Sequence, residues 1–170
     1  MTWQIDAATA ADIPVLTALI LTHGPNVWNW LPPEEVAAHL AQIATGEVGA
    51  VVARENDALL GVVSFCRTTH FARYQTEDRR EAVHGYVCEA AVHREGTGRG
   101  IGAALLKAAL GALEAQGLRE VYIDRHEENA ASAGMMRKAG FTVIDTFAEP
   151  ARRPHGSGRT AVSRIVFERA

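Results

Sequence analysis

The sequence predicts an α/β protein built on a central mixed β-sheet of about seven strands, flanked by about four helices. Apolar runs of strand length alternate with segments of helical spacing along the chain. Two of these runs are rich in valine and apolar on both faces, as in a sheet that helices cover on both sides. A glycine-dense turn joins a further apolar run, residues 85–92, directly to an amphipathic helix. The predicted order is β-α-α-β-β-β-α-β-α-β-β.

In the first half of the chain, residues 3–6 read as a strand. A helix is predicted from about residue 9 to the Gly24-Pro25 pair, and a second over 34–44 with Gly46 as its stop. Residues 50–54 and 60–67 predict an antiparallel hairpin. The polar stretch 68–82 is expected to be a solvated loop that leads into the central strand.

In the second half, the helix after Gly100 should end at the Gln116-Gly117 pair, before a strand at 120–124. Asn129 can cap a short helix over 130–138, which Gly140 closes. Residues 141–147 are the next strand. A basic loop rich in glycine and proline, 149–159, is expected to be flexible before the last strand, 161–168.

Length and composition predict one domain, residues 1–170, with one substantial core. A net charge of −3 and a pI near 6.2, without a stripe of basic residues, argue against a nucleic-acid partner. No apolar run approaches the roughly 20 residues that cross a bilayer, and the N-terminus has no secretory pattern. We therefore expect no membrane association and a cytoplasmic location.

The glycines of the central turn stand at the start of a helix, where unpaired N–H groups and the positive end of the helix dipole attract anions. The turn therefore predicts a cradle for a phosphate or pyrophosphate, with a plain tight turn as the alternative. No Gly-Lys-Ser/Thr follows, which argues against a P-loop. Gly98, Gly100 and Ala103 also fit the loose dinucleotide pattern, so an oxidoreductase that binds a dinucleotide is a second alternative.

Two blocks of the chain resemble the GCN5-related N-acetyltransferases (GNAT). The family pattern R/Q-x-x-G-x-G/A falls on residues 97–102, with both glycines matched and Thr97 in the Arg/Gln position. The pattern N-x-x-S/A-x-x-L-Y-x-K-x-G-F falls on residues 129–141, with Met136 in the Tyr position. The predicted element order is also that of the family, so the resemblance covers nearly the whole chain.

The resemblance implies an acetyl-CoA-dependent N-acetyltransferase that moves an acetyl group directly to the primary amine of a small molecule or an amino-acid-like acceptor. A weaker similarity, from Gly140 through the tail to Arg159, points to the phosphinothricin N-acetyltransferase-like branch. A homodimer is a further expectation taken from the family. The alternative is a catalytically weak acyl-CoA-binding or sensing module, which the departures at Thr97 and Met136 motivate.

The resemblance also assigns the acetyl-CoA contacts. Main-chain atoms of the central strand would hold the pantetheine arm, the glycine loop would hold the pyrophosphate, and the start of the short helix would add further contacts. In that order, the residues are Ala91, Val92 and His93; Thr97, Gly98, Arg99, Gly100, Ile101, Gly102 and Ala103; and Asn129 and Ser132.

Glu89 is the predicted general base, because a carboxylate in an apolar strand is either partnered or raised in pKa towards useful basicity. Asn129 is a helix cap and, by resemblance, also a catalytic ligand of the cofactor or leaving group. The chain carries seven histidines without metal-ligand spacing, so no metal is expected. The rivals of Glu89 for the role of base are His70, His84, Asp124, His126 and His155.

The resemblance implies that the acceptor pocket lies in the region of the first two helices, where Trp28 and Trp30 are predicted walls, with plain packing as the alternative. His70 and Tyr74, in the polar loop, are further predicted pocket residues. Cys66 and Cys88 lie in apolar runs and are expected to be reduced core thiols rather than a redox pair.

Overall fold

The computed structural model describes residues 2–80 and 82–168. Its helices are α1 (Ile13–His23), α2 (Pro33–Ala41), α3 (Ile101–Ala115) and α4 (Ala130–Ala139). Its strands are β1 (Gln4–Ala7), β2 (Val48–Glu55), β3 (Ala58–Thr68), β4 (His84–Val92), β5 (Glu120–His126), β6 (Thr142–Ala148) and β7 (Arg159–Val166).

The strands form one sheet in the order β1-β2-β3-β4-β5-β7-β6. Only β4 and β5 are parallel neighbours, and the remaining pairs are antiparallel. The predicted mixed sheet and element order are therefore confirmed. A doubly wound dinucleotide-binding domain needs a mostly parallel sheet, so this topology removes the oxidoreductase alternative.

Helices cover both faces of the sheet. On one face, α3 and α4 pack over a cluster that includes Leu105, Leu113 and Val121, all of them fully buried. On the other face, α1 and α2 bury Leu16, Ile20 and other aliphatic side chains against β2 and β3. Within the described residues, no helix is both long enough and apolar enough to cross a membrane.

Local sequence explains several of the element ends. Pro14 and Pro33 stand in the first turns of α1 and α2, where the missing N–H costs no helical hydrogen bond. Asn56 and Asp57 adopt positive φ angles of 50° and 67° in the two-residue turn between β2 and β3. Gly140 ends α4 with φ 104°, a left-handed conformation that favours glycine.

Two predicted loops are better ordered than the sequence suggested. The stretch expected to be solvated buries Gln75, which donates to Glu120 Oε1 at 2.5 Å, and stacks Phe71 on Tyr122 with ring centroids 4.8 Å apart. The loop between β6 and β7, predicted to be flexible, buries Arg153, whose Nε donates to Thr160 Oγ1 at 2.9 Å. Both stretches were predicted to be solvated or flexible because of their polar composition, which does not show that their polar side chains bond to one another and to the strands.

The geometry of β4 positions the site. Its pairing with β5 is confined to Gly85 and Tyr86, after which the two strands separate. On its other edge, β4 pairs with β3 along its length, and the register shifts so that Cys88 has no partner. Such a β-bulge bends a strand and re-aims the side chains beside it.

Candidate active site

A cavity of about 530 Å³ occupies the gap where β4 and β5 separate. Its walls come from both strands, from the N-terminus of α4, from the loop before α2 and from the loop between β6 and β7. Polar and ionisable side chains dominate the wall: Glu35, His39, Glu89, Asp124, Asn129 and Arg152. The separation of the two strands thus opens a polar chamber in the middle of the sheet.

Glu89 faces this cavity from β4, directly after the bulge at Cys88. Its backbone N–H donates to Ser64 Oγ at 3.1 Å, which fixes the strand at that point. Burial raises the pKa of the Glu89 carboxyl to about 7; the negative charge of Asp124 adds to the rise and Arg152 opposes it. A carboxyl with this pKa can accept a proton at neutral pH and release it again.

Asp124, a rival for the role of base, lies on β5 in the same cavity but is already engaged. Arg152 binds its carboxylate at 3.1 and 3.4 Å, and the Tyr86 hydroxyl donates to it at 3.0 Å. Burial, and then the Asp124 charge, raise the pKa of Tyr86 well above its ordinary value. The Asp124 carboxylate is therefore occupied by Arg152 and Tyr86. Of the two carboxylates that the separated strands place in this cavity, this leaves Glu89 as the one without such partners among the described residues.

Two histidine rivals have both ring nitrogens occupied. His84 is fully buried, with Nε2 accepting from the Phe71 N–H and Nδ1 at 3.1 Å from the Ala82 carbonyl. His126 is buried as well; its Nδ1 accepts from the Glu128 N–H, and its Nε2 lies 2.7 Å from the His155 carbonyl. Neither ring has a free nitrogen for an acceptor amine.

The other two histidine rivals lie away from Glu89's cavity. The side chain of His155 is exposed, and the residue contributes a carbonyl oxygen to the His126 contact. His70 is exposed on the rim of a second, shallower groove, which Glu89 also lines. Glu89 is therefore the predicted base that the structure leaves in the cavity with a suitable pKa.

The N-terminus of α4 supplies the wall opposite β4. Asn129 caps the helix, its Oδ1 accepting from the Ser132 N–H at 3.2 Å, and both residues line the cavity. Met136 also borders it, but is 5% exposed and packs into the apolar cluster beneath α3. The side chain that stands where the family has tyrosine is therefore a core residue without a proton to donate.

The four predicted acceptor-pocket residues separate in the structure. Trp28 and Trp30 line the cavity; the Trp28 ring lies 4.6 Å from that of His126, whereas Trp30 is 80% exposed. His70 belongs to the second groove. Tyr74 lines neither, because its ring packs beside Tyr122 and its hydroxyl donates to Asp145 at 2.6 Å. That correction follows from the aromatic cluster that orders the predicted loop.

The glycine loop adopts the expected conformation at the start of α3. Gly98 and Gly100 have φ angles of 80° and 77°, and a Cβ on either would point into open space. The first backbone bond of the helix runs from the Ala104 N–H to the Gly100 carbonyl. The N–H groups of the three preceding residues, 101–103, consequently have no partner within the helix.

Two members of the loop differ from expectation. A Cβ on Gly102 would meet the flexible side chain of Met135, which would have to move, so α3 and α4 pack closely at this glycine. Arg99, one of the residues assigned to the pyrophosphate, has its guanidinium held by Glu55 of β2 through contacts of 2.6 and 3.2 Å. Thr97 is exposed beside it.

The other predicted cofactor residues lie along β4 towards this loop. Ala91 and Val92 pair with β3, so the backbone groups on that edge of β4 belong to the β3–β4 ladder. The His93 ring packs against the His23 ring at a tilt of 37° with centroids 4.0 Å apart, and its Nδ1 accepts from the Glu95 N–H. The predicted cofactor residues therefore form two groups. One consists of the end of β4 and the glycine loop, and the other is the start of α4, on the opposite side of the gap between β4 and β5.

Two residues of the cavity wall, His39 and Arg152, were not predicted from the sequence. His39 of α2 contacts Ser64 Oγ at 2.8 Å, and burial lowers the pKa of its ring. Arg152 comes from the loop predicted to be flexible. These residues are distant along the chain from Glu89, and only the strand pairing and the ordered loop bring them together. No group of three or more potential metal ligands occurs in the described part of the chain.

The model of the Acetyltransferase (GNAT) family matches residues 16–141. No curated protein sequence matches the chain significantly. The matched range, residues 16–141, contains the glycine loop, Glu89 and Asn129, and it ends just after α4.

Solved structures share the fold at low identity. An agmatine N-acetyltransferase variant in its apo form has a TM-score of 0.75 at 14% identity, with 97% of this chain and 99% of that chain covered. A ribosomal-protein-alanine N-acetyltransferase from Brucella melitensis has a TM-score of 0.73 at 18% identity, covering 96% and 99%. The yncA acetyltransferase from Salmonella typhimurium, with acetyl-CoA, has 0.71 at 19% identity, covering 100% and 96%.

Proposed function

Because the chain belongs to the acetyltransferase (GNAT) family, we propose that it transfers the acetyl group of acetyl-CoA to the primary amine of a small or amino-acid-like acceptor. In this proposal the whole chain, 1–170, is one catalytic domain. The observation that carries it is Glu89, a carboxyl with a pKa raised to about 7 in the chamber between the separated strands.

The residues present fit acetyl-CoA at two places. The start of α3 presents N–H groups towards open space beside Gly98 and Gly100, as a pyrophosphate requires. The gap between β4 and β5 leaves an edge of β4 beyond Tyr86 without a strand partner, as an extended amide chain requires. We assign the pantetheine arm to Ala91, Val92 and His93, with Asn129 and Ser132 on the opposite wall.

The cavity supports a small acceptor. A volume of about 530 Å³ is within the range of small-molecule sites, which the cofactor end must share. Trp28 supplies an apolar wall. The Arg152 guanidinium in the same wall is held by Asp124 and Glu149, but its side chain is 49% exposed and keeps further N–H groups for an acidic group on the acceptor. An amino acid or an amino-acid-like compound combines such a group with a primary amine.

The proposed chemistry needs one proton acceptor and correct placement. A primary alkylammonium with a pKa near 10 must lose a proton before its nitrogen can attack the thioester carbon. Glu89 would take that proton as the C–N bond forms. Acetyl-CoA supplies an activated acetyl group whose thiol has a pKa of about 8.5, so the thiolate can leave without an acid at Met136.

A second function rests on Met136 and Arg99. Position 136 of α4 has no proton donor, because Met136 is buried in the core, and the cation within residues 97–99, Arg99, is paired with Glu55. A module that binds acyl-CoA and turns it over weakly would show these features. Acetyl-CoA binding without acetyl transfer distinguishes it from the enzyme.

The test is a panel of primary amines incubated with acetyl-CoA and the protein, including agmatine, amino acids and phosphinothricin. Release of the free thiol and the acetylated amine are measured together, by a thiol reagent and by mass spectrometry. We expect at least one amino-acid-like amine to be acetylated. Binding of acetyl-CoA in calorimetry with no acetylated product from any amine would favour the sensing module instead. The predicted cytoplasmic location and homodimer stay predictions.

A further inference from the structure

The two cysteines of the chain meet in the wall of the second groove. Cys66 lies on β3 and Cys88 on β4, and their Sγ atoms are 3.4 Å apart. Both side chains are half-buried rather than enclosed in the core. Both are free thiols, as expected, but they are not enclosed in the core: they form a neighbouring pair that a small molecule in the groove can reach.

The β-bulge creates this pair. In the register of β3 and β4, Cys66 lies opposite Tyr86, and Cys88 is the extra residue without a partner. The bulge turns the Cys88 side chain towards the groove, where its S–H donates to the Cys66 sulfur. A disulfide bond is about 2.05 Å long, so the sulfur atoms need to approach by about 1.4 Å, a movement that side-chain rotation and a small shift of the bulge can supply.

We propose that Cys66 and Cys88 are a reversible modification site, which a hydroperoxide oxidises to an intrachain disulfide. Neither thiol has a chemical role in the proposed acetyl transfer, although Cys88 also borders the active-site cavity. The second groove, which both cysteines line together with Arg67 and His70, is the path by which the peroxide reaches them.

The electronic asymmetry of the pair sets the order of the steps. The hydrogen bond from Cys88 lowers the pKa of Cys66 and raises that of Cys88. The Cys66 thiolate attacks one oxygen of hydrogen peroxide, the O–O bond breaks, and Cys66 becomes a sulfenic acid. The second peroxide oxygen leaves as hydroxide and becomes water with the proton that the Cys66 thiol has lost. The Cys88 sulfur then attacks the Cys66 sulfur, the S–O bond breaks, and the Cys88 proton leaves with the oxygen as water.

The overall change balances: two thiols lose two electrons and two protons, and one hydrogen peroxide becomes two waters, or one organic hydroperoxide becomes an alcohol and a water. Two equivalents of a small thiol, or one of dithiothreitol, restore the pair by thiol–disulfide exchange. The new bond would cross the two strands directly beside Glu89.

The test treats the folded full-length protein with hydrogen peroxide, alkylates the remaining thiols and maps tryptic peptides. Cys66 falls in peptide 55–67 and Cys88 in peptide 81–94. We expect loss of both thiols together, one linked peptide lighter by two hydrogens than the sum of its parts, and recovery of both thiols with dithiothreitol. Cys66→Ser and Cys88→Ser should each form no intrachain link.

Three results would overturn the proposal. Both peptides could remain fully alkylated after peroxide treatment, sulfinic acid could form at Cys66 without a linked peptide, or the disulfide could join two chains. The wild-type protein alone decides among these results, so the test holds even where a serine variant folds poorly. Circular dichroism before alkylation confirms that the pair is oxidised in the folded state.

Discussion

Glu89 is a carboxyl whose charged form the fold disfavours. Its pKa rises from the ordinary 4.5 to about 7, chiefly through burial and then through the charge of Asp124. Between these values the folded protein holds a proton that the unfolded chain has lost. The free energy of unfolding therefore falls as the pH rises from about 4.5 to about 7, and stays lower above that range.

Replacing Glu89 with glutamine should remove this penalty. At about pH 8 we expect Glu89→Gln to increase the free energy of unfolding by up to about 3 kcal/mol, because each pKa unit corresponds to about 1.4 kcal/mol. At about pH 4 the gain should vanish, since the carboxyl is then protonated in both states. Urea unfolding at the two pH values measures the difference.

The matched control is Glu34→Gln, an exposed carboxyl on α2 outside the cavity. It should change the free energy of unfolding by less than about 0.5 kcal/mol at either pH. An equal gain for Glu89→Gln at both pH values, or no gain at either, would count against a raised pKa at Glu89.

Met136 tests whether the leaving thiolate needs an acid. We expect Met136→Tyr to cost about 1–3 kcal/mol of stability, because a ring and a hydroxyl enter a tightly packed site, and not to increase kcat. Urea unfolding and steady-state kinetics measure the two effects. Met136→Leu, which nearly conserves volume, is the control. It should change the free energy of unfolding by less than about 1.5 kcal/mol and leave kcat unchanged. A tenfold rise of kcat in Met136→Tyr would show that proton donation limits the wild-type rate.

At the level of elements, the start of α3 is the proposed pyrophosphate site. Gly100→Asp places a negative charge there, in open space and with φ 77°. We expect binding of CoA, measured by calorimetry, to weaken at least about 100-fold, because the carboxylate opposes the anion and occupies its place. Gly102→Asp is a poorer test, since its side chain meets Met135.

The control for Gly100→Asp is Gly46→Asp, which follows α2. Gly46 has φ 83°, and a Cβ there also meets nothing within 4 Å, so the backbone penalty is matched. This control should lose similar stability and keep full CoA affinity. Equal affinity in both variants would remove the phosphate-cradle assignment.

At Thr97, in the same glycine loop before α3, a positive charge can be added instead of a negative one. Its position is exposed, and the neighbouring Arg99 is paired with Glu55. Thr97→Arg should tighten CoA binding by about two- to fivefold at low salt and less at high salt, as for an exposed ion pair. Calorimetry at two ionic strengths, with Thr97→Ala as the uncharged control, measures it. Unchanged or weaker affinity at low salt would mean that residue 97 does not face the anion.

The sequence pattern predicted all seven strands and all four α-helices of the described structure, with ends displaced by a few residues, but not its short 3-10 helices. The missed features are those that need partners far along the chain. The bulge at Cys88 depends on its register with β3, and the order of the stretch before β4 depends on Tyr122 and Glu120. Neither leaves a local pattern of glycine or proline, so the sequence of each segment alone carries no signal for it.

At the scale of the whole molecule, the site also divides into features that local sequence predicts and features that depend on residues far along the chain. The glycine loop and Asn129 are local motifs, and the structure places both where the sequence predicted. Glu89 was predicted from its apolar setting, but the reason for preferring it over its rivals is tertiary. Hydrogen bonds occupy His84 and His126, and Arg152 pairs with Asp124. The sequence could not reveal these partners.

The central claim is that Glu89 accepts a proton from the acceptor amine, and the pH dependence of kcat/KM tests it most directly. With the best amine of the panel, the wild-type kcat/KM should rise about tenfold per pH unit and level near the Glu89 pKa of about 7, without a descending limb up to about pH 9. In Glu89→Gln, kcat/KM should be lower by about 100- to 10,000-fold and the break near pH 7 should disappear. Profiles that break at the same pH in both proteins, or a variant as active as the wild type, would contradict the account.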